Sequence, residues 1–318
     1  VIRFVLLSFL AFSVAQAEAA EPVKLRLGVA KMASLATPWV AEKQGFFKKY
    51  GLSVEVISFR GSVEAIAALH SGSVDVIGAI PGTAFVAIER GFDMVPLSQN
   101  ETAKAQGPDS GSIQVRKDSP IKSLAQLKGK KIAIPGPRTQ KGVVVLSLLR
   151  KAGIGEKDVI IQELPLASQA EALRHGRVDA VATVDPYSTQ MLKSGIGRVL
   201  VWDYVASIPE QPLGIWYVRK KMVQENPRAT EGLRKGLAEA VDFLNANPPR
   251  ARALVAEFTG MDPKLVADMP LPRWSYRIDP AKWQAVIDLM RESGQLKRAH
   301  DVSEYLTPQM APDIIKVR

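Results

Sequence analysis

VEAIAALHSGSVDVIGAIPGT, residues Val63 to Thr83, reads as a helix, a tight turn, a short buried strand and a glycine-bearing loop that opens another helix. Ala65, Ile66 and Leu69 recur at helical spacing, and Gly72 supplies the positive-φ position that ends a helix. Val74, Val76 and Ile77 form a short apolar run suited to a central strand. The stretch occurs twice. Leu173-Arg-His-Gly-Arg-Val-Asp179 repeats Leu69-His-Ser-Gly-Ser-Val-Asp75, with Leu, Gly, Val and Asp at the same spacing.

The echo extends upstream. Lys24–Val29 and Lys130–Ile134 are strand-like, and each precedes a loop and a helix-length segment closed by Gly51-Leu52 or Gly153-Ile154. Apolar strands follow at Val54–Ile57 and Val159–Leu164. A β-α-β-α-β unit of about sixty residues therefore appears twice. Such alternation predicts parallel sheet with crossover helices, hence an α/β chain of two lobes.

With 318 residues, 47% hydrophobic and 23% charged, the chain is long enough for two cores and too apolar for disorder. Residues 1–20 stand apart. Arg3, the apolar run Phe4–Val14 and Ala15-Gln-Ala17 form the pattern of a secretory signal peptide, predicting a mature start near Glu18 and a periplasmic location. There is no cysteine, so export does not imply a disulfide scaffold. The net charge of +10 reads as a solvated basic surface, since no helix interleaves clustered Lys and Arg with aromatics. No nucleic acid, no cofactor and no stable membrane insertion are expected, and the protein is expected to act as a monomer.

Further along, Thr37 suits an N-cap with Pro38 in the first turn of a helix Trp39–Tyr50. Met94–Gln99 is a strand, while Ser112–Arg116 and Leu213–Arg219 look like extended segments at a lobe boundary, positioned to act as a hinge. The predicted organisation is a first lobe over 21–112, a second over 113–216, and a mostly helical return to the first over 217–318.

Ligands of open α/β sheets sit beyond the carboxyl ends of parallel strands. Five loops meet that rule: Ala30–Ala36 with Ser34, Arg60–Ser62 with Gly61, Ile80–Thr83 with Pro81 and Gly82, Pro135–Gln140, and Asp185–Tyr187. Several open helices, whose free N–H groups favour anions. Gly82-Thr83 and Thr139-Gln140 are the best placed to form a two-sided anion clamp, with Arg60 and Arg138 adding bidentate recognition. Other readings stay open. The loops also serve to cap their helices, either arginine also suits a solvated surface, and Asp185 before Pro186 caps a helix as readily as it accepts from a ligand amine. Tyr187 suits stacking on a ligand or a place in the core. Catalytic constellations are absent: His70, His175 and His300 are scattered, and no metal motif or nucleophile elbow occurs.

Several segments resemble one family. They are Pro38–Val56 (PWVAEKQGFFKKYGLSVEV), Ala68–Val76, Val115–Ala133, Gly176–Ala180 and Asp185-Pro-Tyr187. Together they are similar to the periplasmic substrate-binding proteins of bacterial ABC importers, in the nitrate, sulfonate and taurine branch related to thiamine-pyrimidine synthesis proteins. The resemblance implies a type II periplasmic binding protein fold of two α/β lobes closing on a ligand, with the five loops above as ligand loops. It implies a small organic anion (sulfonate, taurine, nitrate or carboxylate) and an ABC permease as partners, and no enzymatic activity. Members often carry an aromatic before Asp-Pro, where this chain has Val184. The pyrimidine-synthesis alternative relies on a cysteine-rich motif, and this chain has none.

Overall fold

The computed structural model describes residues 21–315; the signal-peptide expectation for residues 1–20 lies outside them. Four strands come first: β1 (Val23–Ala30), β2 (Leu52–Phe59), β3 (Val76–Ala79) and β4 (Val95–Thr102). Then follow β5 (Gly111–Arg116), β6 (Lys131–Ile134), β7 (Ile160–Glu163), β8 (Ala180–Val184) and β9 (Gly197–Val201). The last two are β10 (Pro212–Val218) and β11 (Arg273–Trp274).

They form two sheets, ordered β11-β4-β10-β3-β1-β2 and β7-β6-β8-β5-β9. In the first, β1 runs parallel to β2 and β3, and β10 lies antiparallel between β3 and β4. In the second, β6 runs parallel to β7 and β8, and β5 lies antiparallel between β8 and β9. The two orders superpose, β1 on β6, β2 on β7 and β3 on β8, as the repeated sequence requires. The sheets are mixed rather than wholly parallel because each lobe adds antiparallel strands beside its repeated unit.

Local chemistry explains the repeat. Gly72 and Gly176 both end helices at positive φ (78° and 64°), the left-handed conformation that glycine adopts without a Cβ penalty. Asp75, just before β3, then ties that strand to the interior of β1 by accepting the Arg26 N–H at 2.9 Å. Asp179, just before β8, ties that strand to the start of β6 in the same way, accepting the Lys131 N–H at 2.8 Å. The shared Gly-x-Val-Asp is thus a device for joining a helix to a central strand.

Two expectations change. The helix from Thr37 ends at Lys43, because Gly45 turns to φ 73°; a short 3-10 turn at Lys48–Tyr50 completes the segment. Thr37 is not its N-cap, since its hydroxyl donates to Asn100 Oδ1 at 2.7 Å.

β5 lies wholly in the second sheet and β10 wholly in the first. The chain crosses between sheets just before each of them, through residues 103–110 and 202–211. Both passages run side by side, with the Ala103 N–H donating to the Gln211 carbonyl at 2.8 Å.

The first sheet is packed on both faces. Helices Pro227–Ala246 and Pro248–Thr259 cover one face through Leu233, Leu237, Leu254 and Val255. Helices Ser62–Ser71, Pro81–Glu89 and Pro280–Glu292 cover the other. Each fully buried Leu, Ile or Phe contributes about 1.5–3 kcal/mol relative to exposure. That second core also takes in Val143, Val144 and Leu148 of helix Gln140–Lys151, so apolar packing joins the lobes on that side.

Candidate functional site

The carboxyl ends of the parallel strands bring the two lobes together around three features. The first is a contact. Helix Pro81–Glu89 begins at the end of β3, and helix Gln140–Lys151 begins after β6. Their N-termini face each other as expected, but the Gly82 N–H donates to the Gln140 side-chain oxygen at 3.0 Å. Gln140 is itself buried and also reaches the Pro212 carbonyl at 3.3 Å. Thr139 caps its own helix, accepting from the Gly142 N–H at 3.1 Å and donating to the Gly136 carbonyl at 2.7 Å. Gly82 is not at positive φ. A Cβ there meets Met290 at 3.1 Å and Gln140 at 3.2 Å, so the missing side chain lets the lobes approach.

The second feature is a cavity of about 550 Å³ outside that contact, lined by Ile66, Thr83, Val86, Arg138, Thr139 and Glu163 among others. It brings Gly82, Thr83, Arg138 and Thr139 together across the lobes. Pro81, which precedes Gly82, is buried in its helix. Arg60 and Gly61 lie apart: the Arg60 side chain is 95% exposed and pairs with Glu64 at 3.4 Å. Tyr187 opens helix Tyr187–Lys193 and is half-buried, and Trp216 is core.

The third feature lies on the other side of the Gly82–Gln140 contact, beside the crossing segments. A cavity of about 720 Å³ is lined by Lys104, Thr189, Trp202, Arg252, Asp268 and Leu271 among others. Lys193 of the second lobe pairs with Asp268 of the first across its mouth. Near Lys104 and Thr189 lies a group of buried polar side chains drawn from both lobes, among them Asn100, Glu101, Asp109 and Asp185. On the first-lobe side is the Ser34 loop, whose carbonyl is held by Asn100 Nδ2 at 2.9 Å and Trp274 Nε1 at 3.0 Å. Glu101, at the end of β4, is buried nearby. On the second-lobe side is Asp185, whose Oδ1 accepts from the Thr189 N–H at 3.0 Å and the Thr189 hydroxyl at 2.7 Å. Asp185 thus caps its helix with one oxygen. The other oxygen, and Oδ2 of Asp109, find no hydrogen-bond partner among the described residues.

The electrostatics follow from burial. Glu101 is pushed up to about 8 and Asp185 to about 6, chiefly because burial disfavours their charged forms. Burial also raises Asp109 and lowers Lys104. Close by, Lys141 and Asp203 form a buried pair at 2.6 Å, with the Lys141 ammonium 4.4 Å from the Tyr204 ring centroid. Burial lowers Lys141 and raises Asp203, as expected for charges removed from water. No group of three or more His, Cys, Asp or Glu able to hold a metal occurs among the described residues.

Sequence reasoning singled out Ser34 and Asp185 but not Glu101, Lys104 or Asp109 between them. A signal was present: Gln99-Asn-Glu-Thr-Ala-Lys104 carries a buried strand straight into polar residues at a crossing.

Two α/β lobes joined by paired crossings, with a cavity lined by residues of both, define a class of clefted two-lobe proteins. The chain belongs to the NMT1-like family, whose model matches residues 18–260. A protein of Escherichia coli K12 named for binding aliphatic sulfonates is 28% identical over 312 residues, covering 94% of this chain and 92% of its own length. The nitrate/nitrite binding protein NrtA of a Nostoc species is 24% identical over 253 residues, 73% of this chain and 56% of its own. Among solved structures, the periplasmic aliphatic sulphonate binding protein SsuA of Escherichia coli superposes with a TM-score of 0.76 at 24% identity, covering 90% of this chain and 97% of that one. A Cys-to-Ser variant of DSZB with biphenyl-2-sulfinic acid bound shares the fold at a TM-score of 0.69 and 15% identity, covering 91% and 98%.

Proposed function

We propose that this chain is the solute receptor of an ABC import system. It takes a small organic anion of the sulfonate, taurine, nitrate or carboxylate class between its lobes and hands it to a membrane permease. In this reading it works in the periplasm as a monomer, with the lobes of 21–112 and 113–216 closing about the crossings. The observation that carries the reading is the cavity of about 550 Å³ lined from both lobes by Thr83, Arg138 and Thr139, in a family whose relatives are named as binding proteins. The helix N-terminus at Thr83 and the Arg138 side chain supply anion-favouring surface there. An enzyme of the thiamine-pyrimidine synthesis type lacks support, because the chain contains no cysteine.

A thermal-shift screen over sulfonates, taurine, nitrate and carboxylates tests this. A solute at one hundred times its Kd adds about 2.7 kcal/mol to stability, a shift the screen resolves. Product formed from any of these solutes by the protein alone, or no shift with any of them, overturns the reading.

A further inference from the structure

Strand register sets what meets at the outer end of the second sheet. β5 ends at Arg116 opposite Gly197, β6 begins at Lys131 opposite Ile160, and β8 begins at Ala180 beside Ile132. These are the amino ends of the parallel strands, away from the carboxyl ends that face the first lobe. The segments meeting there, 116–131, 155–159, 174–179 and 195–198, carry ten Lys or Arg against four Asp or Glu. Among the described residues only three of those cations form ion pairs: Arg116 with Asp118 at 3.1 Å, Lys128 with Asp158 at 3.7 Å and Arg174 with Glu171 at 3.4 Å. Like charges crowded at one end repel one another, a cost that counter-charge from outside relieves.

The fold does not require this charge, because the first lobe builds the equivalent positions without it. Register places Leu25 of β1 where the second lobe has Lys130, and Leu25 is buried in the first core. The repeat places His70 and Ser73 where the second lobe has Arg174 and Arg177. Arg219 and Arg116 are direct counterparts. Each follows the residue paired with the start of a central strand, Val218 with Val76 and Val115 with Ala180. Each guanidinium lies against the glycine that ends a helix, 3.8 Å from a Cβ placed on Gly72 and 3.7 Å from one on Gly176. Arg219 is used internally, donating to the Leu69 and Val74 carbonyls at 2.9 Å and meeting Asp75 at 3.4 Å. Arg116 meets only Asp118 among the described residues, and its side chain is 45% exposed. It lines two cavities, one of about 420 Å³ with Ser119, Lys130 and Asp179, and one of about 660 Å³ with Lys117 and Arg174.

We infer that this end of the second lobe docks on an anionic lipid bilayer, with Arg116 and Lys130 taking a headgroup phosphate. The cations are spread over four segments and two cavities, which suits an array of headgroups better than one small ion. No Phe, Tyr or Trp lies in those segments, so nucleic-acid bases have nothing to stack on. No helix among the described residues is long and apolar enough to cross a membrane, and the contact is peripheral and electrostatic. Docking by the amino ends of the strands leaves the carboxyl ends free for solute. A bilayer, rather than another anionic surface, follows from the receptor reading above, which sets the protein beside one.

The test is co-sedimentation of the protein with vesicles of phosphatidylcholine, alone or with about one-third phosphatidylglycerol. The charged vesicles should bind it about tenfold more tightly or better, and binding should fall steeply as salt rises from about 0.05 to about 0.3 M. Lys130→Glu with Arg177→Glu, checked for native circular dichroism, should lower that binding about tenfold or more, and Arg116→Gln alone about fivefold. Lys24→Glu with Lys48→Glu makes the same change of charge at exposed first-lobe positions and should lower it less than about threefold. Equal binding to both vesicles, or an equal loss from both double variants, overturns the inference. So does capture by soluble heparin without sedimentation on the charged vesicles, which makes the partner a soluble polyanion. The sedimentation uses no solute, so its failure leaves the solute screen to decide the receptor reading.

Discussion

In the first lobe Asp75 accepts the Arg26 N–H at 2.9 Å and donates its own N–H to the Arg26 carbonyl at 2.8 Å. In the second, Asp179 makes the same exchange with Lys131, at 2.8 Å in both directions. At the opposite ends of the same strands the likeness stops. β3 leaves into Ile80-Pro-Gly-Thr83, whose glycine N–H is taken by Gln140 of the other lobe. β8 leaves into Asp185-Pro-Tyr187, whose acid caps a helix with one oxygen, while the other has no hydrogen-bond partner among the described residues. The amino ends of the strands are where a repeated unit must close its own hydrogen bonds, so they stay alike. The carboxyl ends meet across the cleft, where the two lobes have different tasks.

The comparison breaks most readily at its matched acids. Asp75 also meets Arg219 at 3.4 Å and the Arg26 side chain at 3.5 Å, contacts that Asp179 lacks. Asp75→Ala should therefore cost about 2–3 kcal/mol and Asp179→Ala about 1–2 kcal/mol, since each leaves a strand N–H unpaired. Urea unfolding measures both, and an equal or larger loss at Asp179 would show that the lobes differ where they look the same.

A somewhat smaller effect is expected at the inter-lobe contact. Gly82→Val forces a branched side chain against Met290 and Gln140 and should cost about 1–3 kcal/mol through overpacking. Thr139→Ala, across the same contact, removes an N-cap and should cost about 1 kcal/mol. Retention of full stability by both variants in thermal unfolding would mean that the lobes are not in register there.

The smallest effects distinguish the buried Glu101 from an ion-pair cluster around His300. His300 bridges Glu89 at 3.1 Å and Glu304 at 3.2 Å, and Glu304 also pairs with Arg298 at 2.7 Å. The Arg298 hydrogen bond leads in holding Glu304 down to about 2. Its contribution is therefore present above the ordinary glutamate range, near 4.5, and is lost as pH falls toward about 2. Glu101, raised to about 8, behaves oppositely: stability of the empty protein falls as pH rises from about 4.5 to about 8. Glu304→Gln should flatten the acid limb of a stability profile and Glu101→Gln the alkaline limb. A swap of the two limbs would refute both assignments.

How much of this was legible depended on which force governs each segment. Lys131–Ile134 reads as a strand and is one, because apolar burial decides both the pattern and the fold. The strand read as Met94–Gln99 continues to Thr102, because Asn100, Glu101 and Thr102 are buried although polar. An apolar pattern cannot report a strand end that is polar and yet buried. Thr37 misled for a related reason: its hydroxyl reaches Asn100, sixty-three positions away, and no local rule anticipates such a partner. The clamp at Gly82 and Gln140 was legible as two facing helix ends. That the lobes would satisfy those ends with each other was not, because Gln140 looks the same in sequence whether it binds a solute or a backbone.

Hydrogen exchange with and without the solute found in the screen tests the central claim most directly. Solute should slow exchange at residues 31–36, 101–110 and 185–190, at the carboxyl ends of the strands and the first crossing, and leave 72–76 and 176–180 unchanged. Protection confined to residues 60–64, or spread equally to both ends of the strands, would contradict it.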